Sequence, residues 1–380
     1  MKTCKTFDFI LLIYNSYIRI RRRVPTISIR LAIMYIDELQ STDPTKNSKL
    51  LSSPINFCSP RTNRLIVSSL LDDLTVVRKK PSKSDLKSYV NFMKEDTLEN
   101  LLEAKKVFDD YSEDELKNAR RRSNPYESIG GAIFMNRAAT KIAEIDASFN
   151  WPITNPVCLD ENSSDPLFFG DLCGGSGGFT EYILWRRQWR AKGFGLTLKS
   201  SECFRPHLVV HGPPEMFKPF YGSSNDGDIT KLENIESLYH NVYKATNGQL
   251  LHCVVSDGGF SVQGNENEQE ILSRQLYFYQ ILCALKILRN GGNFVCKLFD
   301  VATAFTASLL LLVQKAFRNM FCLHRVEDGI VDAITSYLTM VSGKVSKILN
   351  CETLDLHCLL PMDMIFMDKL FVKYLCDSIE

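Results

Sequence analysis

The sequence has no paired cysteines of the kind that frame small secreted folds or hold zinc. Its 12 cysteines stand singly, with no CxxC pair and no Cys/His cluster at metal spacing. That argues against a disulfide scaffold and a structural metal site, and favours a reducing compartment. An excess of one charge is lacking too: 45 Lys+Arg against 44 Asp+Glu leave a net charge of +1. Any affinity for a polyanion must therefore come from local clusters, of which Arg21, Arg22, Arg23 and Arg120, Arg121, Arg122 are the candidates. Long apolar runs are absent as well. The best stretch, 302–313, is broken by Thr303, Thr306 and Ser308, well short of the roughly 18 to 20 apolar residues of a membrane span. The apolar run at 7–13 leads into Asn15, Ser16 and Arg19 where a secretory cleavage site needs small residues. No membrane association is expected. Internal repeats and low-complexity tracts are missing.

What is present is a chain of 380 residues, 45% hydrophobic, long enough for one sizeable core with appended elements. Residues 1–95 mix Ser, Thr, Asn, Pro and Lys without sustained periodicity and read as a poorly ordered lead-in, with one helix near 64–77. Residues 96–150 read as a helical extension: Leu98, Leu101, Leu102, Ala104, Val107 and Phe108 recur at helical spacing, a second helix runs over 114–122, and a third, 134–145, carries Asn136 and Lys141. From Leu167 short apolar strands alternate with helices, the signature of a mostly parallel α/β sheet. Strands are predicted at 168–171, 193–197, 251–256 and 292–297, and helices at 179–190, 269–288 and 303–321. Ligands of such sheets bind beyond the carboxyl ends of the strands, so the residues there are the ones to interrogate.

After the first of these strands comes Asp171-Leu-Cys173-Gly174-Gly175-Ser176-Gly177-Gly178-Phe179, glycine-rich enough for a tight turn and a close ligand approach. It lacks the Gly-Lys-Ser/Thr ending of a phosphate-gripping loop and the spacing of a dinucleotide fingerprint. Such a loop suits the adenosine and methionine parts of S-adenosylmethionine, or is a strand-to-helix turn without a ligand. Methyl transfer to a hydroxyl needs in-line placement and help with the proton, and a lysine serves as base only when burial or a neighbouring cation lowers its pKa. Lys297 ends a strand, Asp257 follows another, and Lys141 precedes the loop. Each alone also fits a solvated charge or a turn residue.

The order Lys, glycine loop, Asp, Lys resembles the FtsJ-type 2′-O-ribose methyltransferases, most closely the branch acting on the first nucleotide of capped messenger RNA. The resemblance is carried by RRRSNPYESIGGAIFMNRAATKIAEI from Arg120, FFGDLCGGSGGFTEYILWRRQWRAKGFGLTL from Phe168, GDIT from Gly227, VVSDGGFSVQGNENEQEILSRQL from Val254 and GGNFVCKLFD from Gly291. It covers about 100–300 strongly. It implies a Rossmann-like α/β methyltransferase fold with a mostly parallel sheet flanked by helices, S-adenosylmethionine as cofactor, the capped messenger RNA 5′ end as substrate, and a place in the nucleus. Lys141, Asp257 and Lys297 would be catalytic, with Lys297 the proton acceptor. Asn136, Cys173, Gly174, Gly175, Ser176, Gly177, Gly178, Phe179, Asp228 and Ile229 would contact the cofactor. Lys105, Lys106, Val107, Phe108, Asp109, Arg120, Asn267, Glu268 and Gln269 would contact the capped RNA. No metal is implied.

The chain departs from the family after about 321. The Ser-Arg-Pro and Asn-Ser-Glu-Arg-Tyr segment, which supplies a fourth catalytic acid and a closing strand, has no counterpart. The last strand region is therefore expected to be incomplete. The methyltransferase domain is assigned to 151–326, with 327–380 a tail of weak resemblance. Methylation of another RNA position and a binding-only variant are the alternative readings. The family's glycine-patch, guanylyltransferase-like and WW modules, and transcription-machinery partners reached through them, fall outside these residues.

Overall fold

Apolar segments too short to be helices and buried on both faces become the strands of one parallel sheet. In the computed structural model, which describes residues 10–13, 72–81, 92, 95–106, 111–112, 114–115, 118–119, 122, 134–160, 164–199, 203–204, 212–260, 268–299, 301–317 and 329–379, the strands in chain order are β1 (Ile10–Ile13), β2 (Val76–Lys79), β3 (Leu167–Leu172), β4 (Ala191–Leu196), β5 (Phe217–Phe220), β6 (Leu251–Ser256), β7 (Leu288–Leu298) and β8 (Leu354–Cys358). Six of them form the main sheet in the order β1-β7-β6-β3-β4-β5, every pair parallel. All of β6 is buried, and only Phe168 in β3 is partly open, as expected of central strands covered by helices on both sides.

The chain runs outward from β3 through β4 to β5, then returns to the other side of β3 for β6 and β7. This reversal opens a crevice at the carboxyl ends of β3 and β6, where α/β sheets bind their ligands. The helices are α1 (Glu95–Lys106), α2 (Arg137–Ser148), α3 (Gly178–Arg187), α4 (Leu232–Ala245), α5 (Gln269–Ile287), α6 (Ala304–Ala316), α7 (Gly329–Leu349), α8 (Met362–Phe366) and α9 (Lys369–Ile379). Among the described residues no helix is long and apolar enough to cross a membrane.

Three observations refine the sequence reading. The helix predicted near 64–77 falls partly outside the described residues, and its end, Val76 and Val77, lies in strand β2, which pairs antiparallel with β8. These β-branched residues follow a partner almost 280 positions away, which no local pattern signals. Beyond β7, where the family's closing strand is expected to be missing, β1 is the outer neighbour, Leu12 opposite Lys297, while residues 318–328 lie outside the described ones. Third, α7, β8 and α8 pack on α5 and α6: Tyr279 Oη donates to Ser342 O at 2.9 Å, Gln275 Nε2 to Ser346 Oγ at 2.8 Å, and Leu359 N–H to Ser308 Oγ at 2.9 Å. Asp355 takes Arg274 at 2.8 Å and Arg78 at 3.2 Å, and Lys315 pairs with Asp368 at 2.7 Å with both side chains under 5% exposed.

Candidate active site

The chain leaves β3 at Leu172 and turns through residues whose backbone is left-handed at Cys173 (φ 55°), Gly175 (φ 53°) and Gly177 (φ 97°) before α3 begins at Gly178. Two of these three positions are glycine, which takes the left-handed region without steric cost. Cys173 adopts the same region without being glycine, held by its N–H donating to Leu196 O at 2.7 Å. Burial pushes its thiol up, which removes it as a nucleophile. Close packing fixes the loop from beneath. A Cβ on Gly174 would stand 2.3 Å from Asp171 Oδ1, and one on Gly178 would stand 2.2 Å from Asn136 Oδ1.

Asn136 joins α2 to this loop. It is the N-cap of α2, its Oδ1 accepting the Ala138 N–H at 2.9 Å, while its Nδ2 donates to Ser176 Oγ at 2.8 Å. The same α3 that opens at the loop buries Phe179, and its Glu181 Oε2 accepts the Met135 N–H at 2.7 Å. Below the loop, Asp171 is fully buried; its Oδ2 accepts from Thr180 Oγ1 at 2.7 Å and Thr180 N at 3.2 Å. Burial raises its carboxyl to about 7, Thr180 opposing the shift and the charge of Asp257 adding to it.

On the β4 side, the turn carrying Asp228 and Ile229 is pressed against the strand end: at Gly227 (φ 73°) a Cβ would fall 1.7 Å from Thr197 O. Asp228 Oδ1 accepts from Thr230 N at 2.9 Å and Oγ1 at 2.7 Å, and Ile229 is buried. Preceding them, Asp226 binds Lys231 Nζ at 2.5 Å and Asn234 Nδ2 at 2.8 Å. Lys231 above all holds its carboxyl down at about 2.

The sheet register explains how Asp257 and Lys297 meet. Leu172 is paired with Ser256, and Ser256 with Cys296, so Asp257 and Lys297 follow side by side at the carboxyl ends of β6 and β7. Lys297 Nζ forms an ion pair with Asp257 Oδ1, donates to Asp257 O at 3.3 Å, and lies 4.9 Å from the Phe299 ring centre. Lys141 comes from α2, one turn beyond Arg137. Its amine is lowered, by burial first, with Asp257 working against the shift and the cations Arg137 and Lys297 adding to it. Two amines and one carboxylate thus share a field beside the glycine loop. Such a group can move a proton and orient a nucleophile.

Other expected contact residues are less fully described. Lys105 and Lys106 close α1, their side chains outside the described part, while Val107, Phe108, Asp109, Arg120 and Asn267 lie outside the described residues altogether. Glu268 and Gln269 open α5, both half-buried. Their neighbour Glu270 had no place in the sequence reading, yet its carboxylate accepts the N–H groups of Ala302 and Thr303, each at 2.9 Å, and so ties down the chain after β7. An acid in the first turn of a helix was the available signal. Gln280, also unforeseen, lies behind Asp257 and left no trace in the pattern beyond an amide within the apolar stretch Tyr277 to Leu285 of that helix.

Comparison with known proteins follows the same lines. The family model described as FtsJ-like methyltransferase matches residues 134–324. The cap-specific mRNA (nucleoside-2′-O-)-methyltransferase 1 of Danio rerio is 40% identical over 335 residues, spanning 82% of this chain and 40% of that protein. Its Mus musculus counterpart is 39% identical over the same shares, and the Caenorhabditis briggsae protein designated 1A is 36% identical over 346 residues, 81% of this chain and 39% of the other. The chain thus spans about 40% of the length of these relatives. A Plasmodium falciparum putative ribosomal RNA methyltransferase of known structure superposes over 48% of this chain and 86% of its own at 16% identity, with a TM-score of 0.32, too slight a likeness to argue from.

Proposed function

The chain belongs to the FtsJ-like methyltransferase family, and from that premise we propose that it methylates the ribose 2′-oxygen of the first nucleotide of capped messenger RNA, in the nucleus, using S-adenosylmethionine. The single observation that carries the chemistry is the Lys297–Asp257 pair with Lys141 in its field, set beside the glycine loop at the carboxyl ends of β3, β6 and β7. The cap specificity leans on the relatives' names and the similarity to them.

The residues present fit the cofactor. Side chains at Gly174 and Gly178 would collide with Asp171 and Asn136, so the loop keeps bare backbone where a ligand can approach. Asn136 and Ser176 would hold one end, and Asp228 and Ile229 the other. When bound, S-adenosylmethionine supplies an electrophilic methyl group on a sulfonium centre.

Lys297 Nζ, once it has passed its own proton to solvent, would take the proton of the ribose 2′-hydroxyl as that oxygen bonds to the methyl carbon and the carbon's bond to sulfur breaks, leaving S-adenosylhomocysteine. Asp257 orients that amine and balances its charge afterwards. Lys141, whose ammonium burial disfavours, gives up its proton at lower pH than an exposed lysine and helps hold the oxygen. The cations at Lys105 and Arg120 would position the phosphates of the capped end, a task that carries no sequence preference.

The test is transfer of labelled methyl to a short RNA with a cap 0 end, beside the uncapped RNA and a Lys297→Ala chain. Transfer to the first 2′-oxygen, dependent on the cap and reduced by about 10² to 10⁴ in the variant, supports the reading. Equal transfer to uncapped RNA redirects it to another RNA position. Cofactor binding without transfer replaces the enzyme with a binding module, the reading that the unmatched fourth acid favours.

A further inference from the structure

We propose that Gln280 is a positioning residue that sets the Lys297–Asp257 pair through the backbone. Its place is the middle of α5, 23 residues after Asp257 in the chain and with no exposed surface. Its Oε1 accepts the Gly258 N–H at 2.9 Å and the Ser256 hydroxyl. One amide oxygen therefore grips the chain on both sides of Asp257. The Asp257 N–H donates to Leu172 O at 3.3 Å on the opposite side, so the peptide that carries the carboxylate is held between β3 and α5.

Two details tie this grip to the reacting groups. A Cβ on Gly258 would fall 2.2 Å from Gln280 Oε1, and a Cβ on Gly259 would fall 3.3 Å from Lys297 Nζ. The Gly258-Gly259 pair is thus the layer between the amide and the amine: a side chain at Gly258 would collide with Gln280, and one at Gly259 would crowd Lys297. The grip uses one end of the amide alone: Gln280 Nε2 is buried and has no hydrogen-bond partner among the described residues. The function of the side chain therefore resides in its acceptor oxygen, which a glutamic acid also offers and a methionine of similar length does not.

This inference rests on reading Asp257 and Lys297 as the reacting pair, so its test has two readouts on the full chain. In steady-state assays on cap 0 RNA, Gln280→Met is expected to lower kcat about 10- to 100-fold, as a small misplacement at a reacting centre does, with KM for S-adenosylmethionine little changed, and Gln280→Glu to restore most of it. In the cofactor-free protein, amide hydrogen exchange at Gly258 is expected to quicken in Gln280→Met and to return toward wild type in Gln280→Glu, with β3 and β6 equally protected in all three. Equal impairment of both variants would mean that packing matters and the acceptor does not, and would overturn the inference. So would unchanged exchange at Gly258 in Gln280→Met. A wild-type chain that transfers no methyl would count against the functional reading instead, and the exchange comparison would still decide the grip.

Discussion

Asp171 and His252 are buried titratable residues that respond to pH in opposite senses. The Asp171 carboxyl is raised from 3.8 to about 7 by burial, so the folded protein holds a proton there that the unfolded chain has released. Its contribution to stability is present in full below 3.8 and is lost as pH rises toward 7. His252, whose Nδ1 accepts the Phe168 N–H at 2.9 Å, is pushed from 6.5 down to about 3 by burial and by the nearby Arg289. Its contribution is present above 6.5 and is lost as pH falls toward 3. Between those limits the two slopes oppose each other. Asp171→Asn, which keeps an acceptor for Thr180, should remove one of them. Thermal midpoints measured from about pH 4 to about pH 8 should then fall more steeply on the acid side of 6.5 than in wild type, and less on the neutral side. Parallel curves for the two proteins would show that Asp171 is ionised in the folded state.

At the scale of elements, the glycine loop depends on the cap of α2. Asn136→Ala removes the Ala138 and Ser176 bonds together. It should cost about 1 kcal/mol of stability, as the loss of a cap does, and weaken S-adenosylmethionine binding beyond what that destabilisation explains. Calorimetric titration beside a denaturation curve separates the two, and Asn136→Asp, which keeps the cap and drops the donor to Ser176, should keep the stability and lose the affinity. Gly178→Ala should disturb the same junction from the other side, since its methyl group would meet Asn136 Oδ1 at 2.2 Å; its cofactor affinity should fall, read by the same titration.

These elements were unevenly legible. β6 coincides with the predicted 251–256, and β3 and β4 fall within two residues of their predicted ends, because buried parallel strands announce themselves as apolar runs bounded by turn residues. β5 escaped because Phe217, Lys218, Pro219 and Phe220 make a poor strand pattern. Proline removes a ladder donor and is tolerated here at the sheet edge, where β5 lies. α4 also went unforeseen, although Ile235, Leu238 and Val242 stand at helical spacing and are buried. At the site, Lys141, Asp257 and Lys297 were readable as residues in a pattern of known order. What no pattern holds is the support behind them, since Gln280 and Glu270 act through backbone groups that only the fold brings near.

At the scale of the whole molecule, the carboxyl-terminal part of the described chain is fastened to α6 by charges taken out of water. Lys315 and Asp368 are 3% and 4% exposed and 2.7 Å apart. Losing one partner leaves the other buried and unpaired. Lys315→Met should therefore destabilise by about 3 to 5 kcal/mol, whereas Lys315→Met with Asp368→Asn, which removes both charges and keeps an acceptor for the Phe371 N–H, should recover part of that. Urea denaturation of the two single variants and the double variant closes the cycle. Additive losses would mean that the pair is solvated in solution.

Helix α5 has a role in all three scales. Its first turn holds the chain after β7 through Glu270, Arg274 binds Asp355 of β8, Gln275 and Tyr279 bind α7, and Gln280 grips the Asp257 peptide. Nine consecutive residues, Tyr277 to Leu285, are buried, and so the helix turns no side to solvent over more than two turns. Such a segment has little room for neutral drift. In a library of single substitutions selected for methyl transfer, α5 should accept fewer changes per position than the glycine loop, whose intolerance is confined to a few backbone positions. The map of permitted variation would then be coldest along a helix with no reacting atom on it.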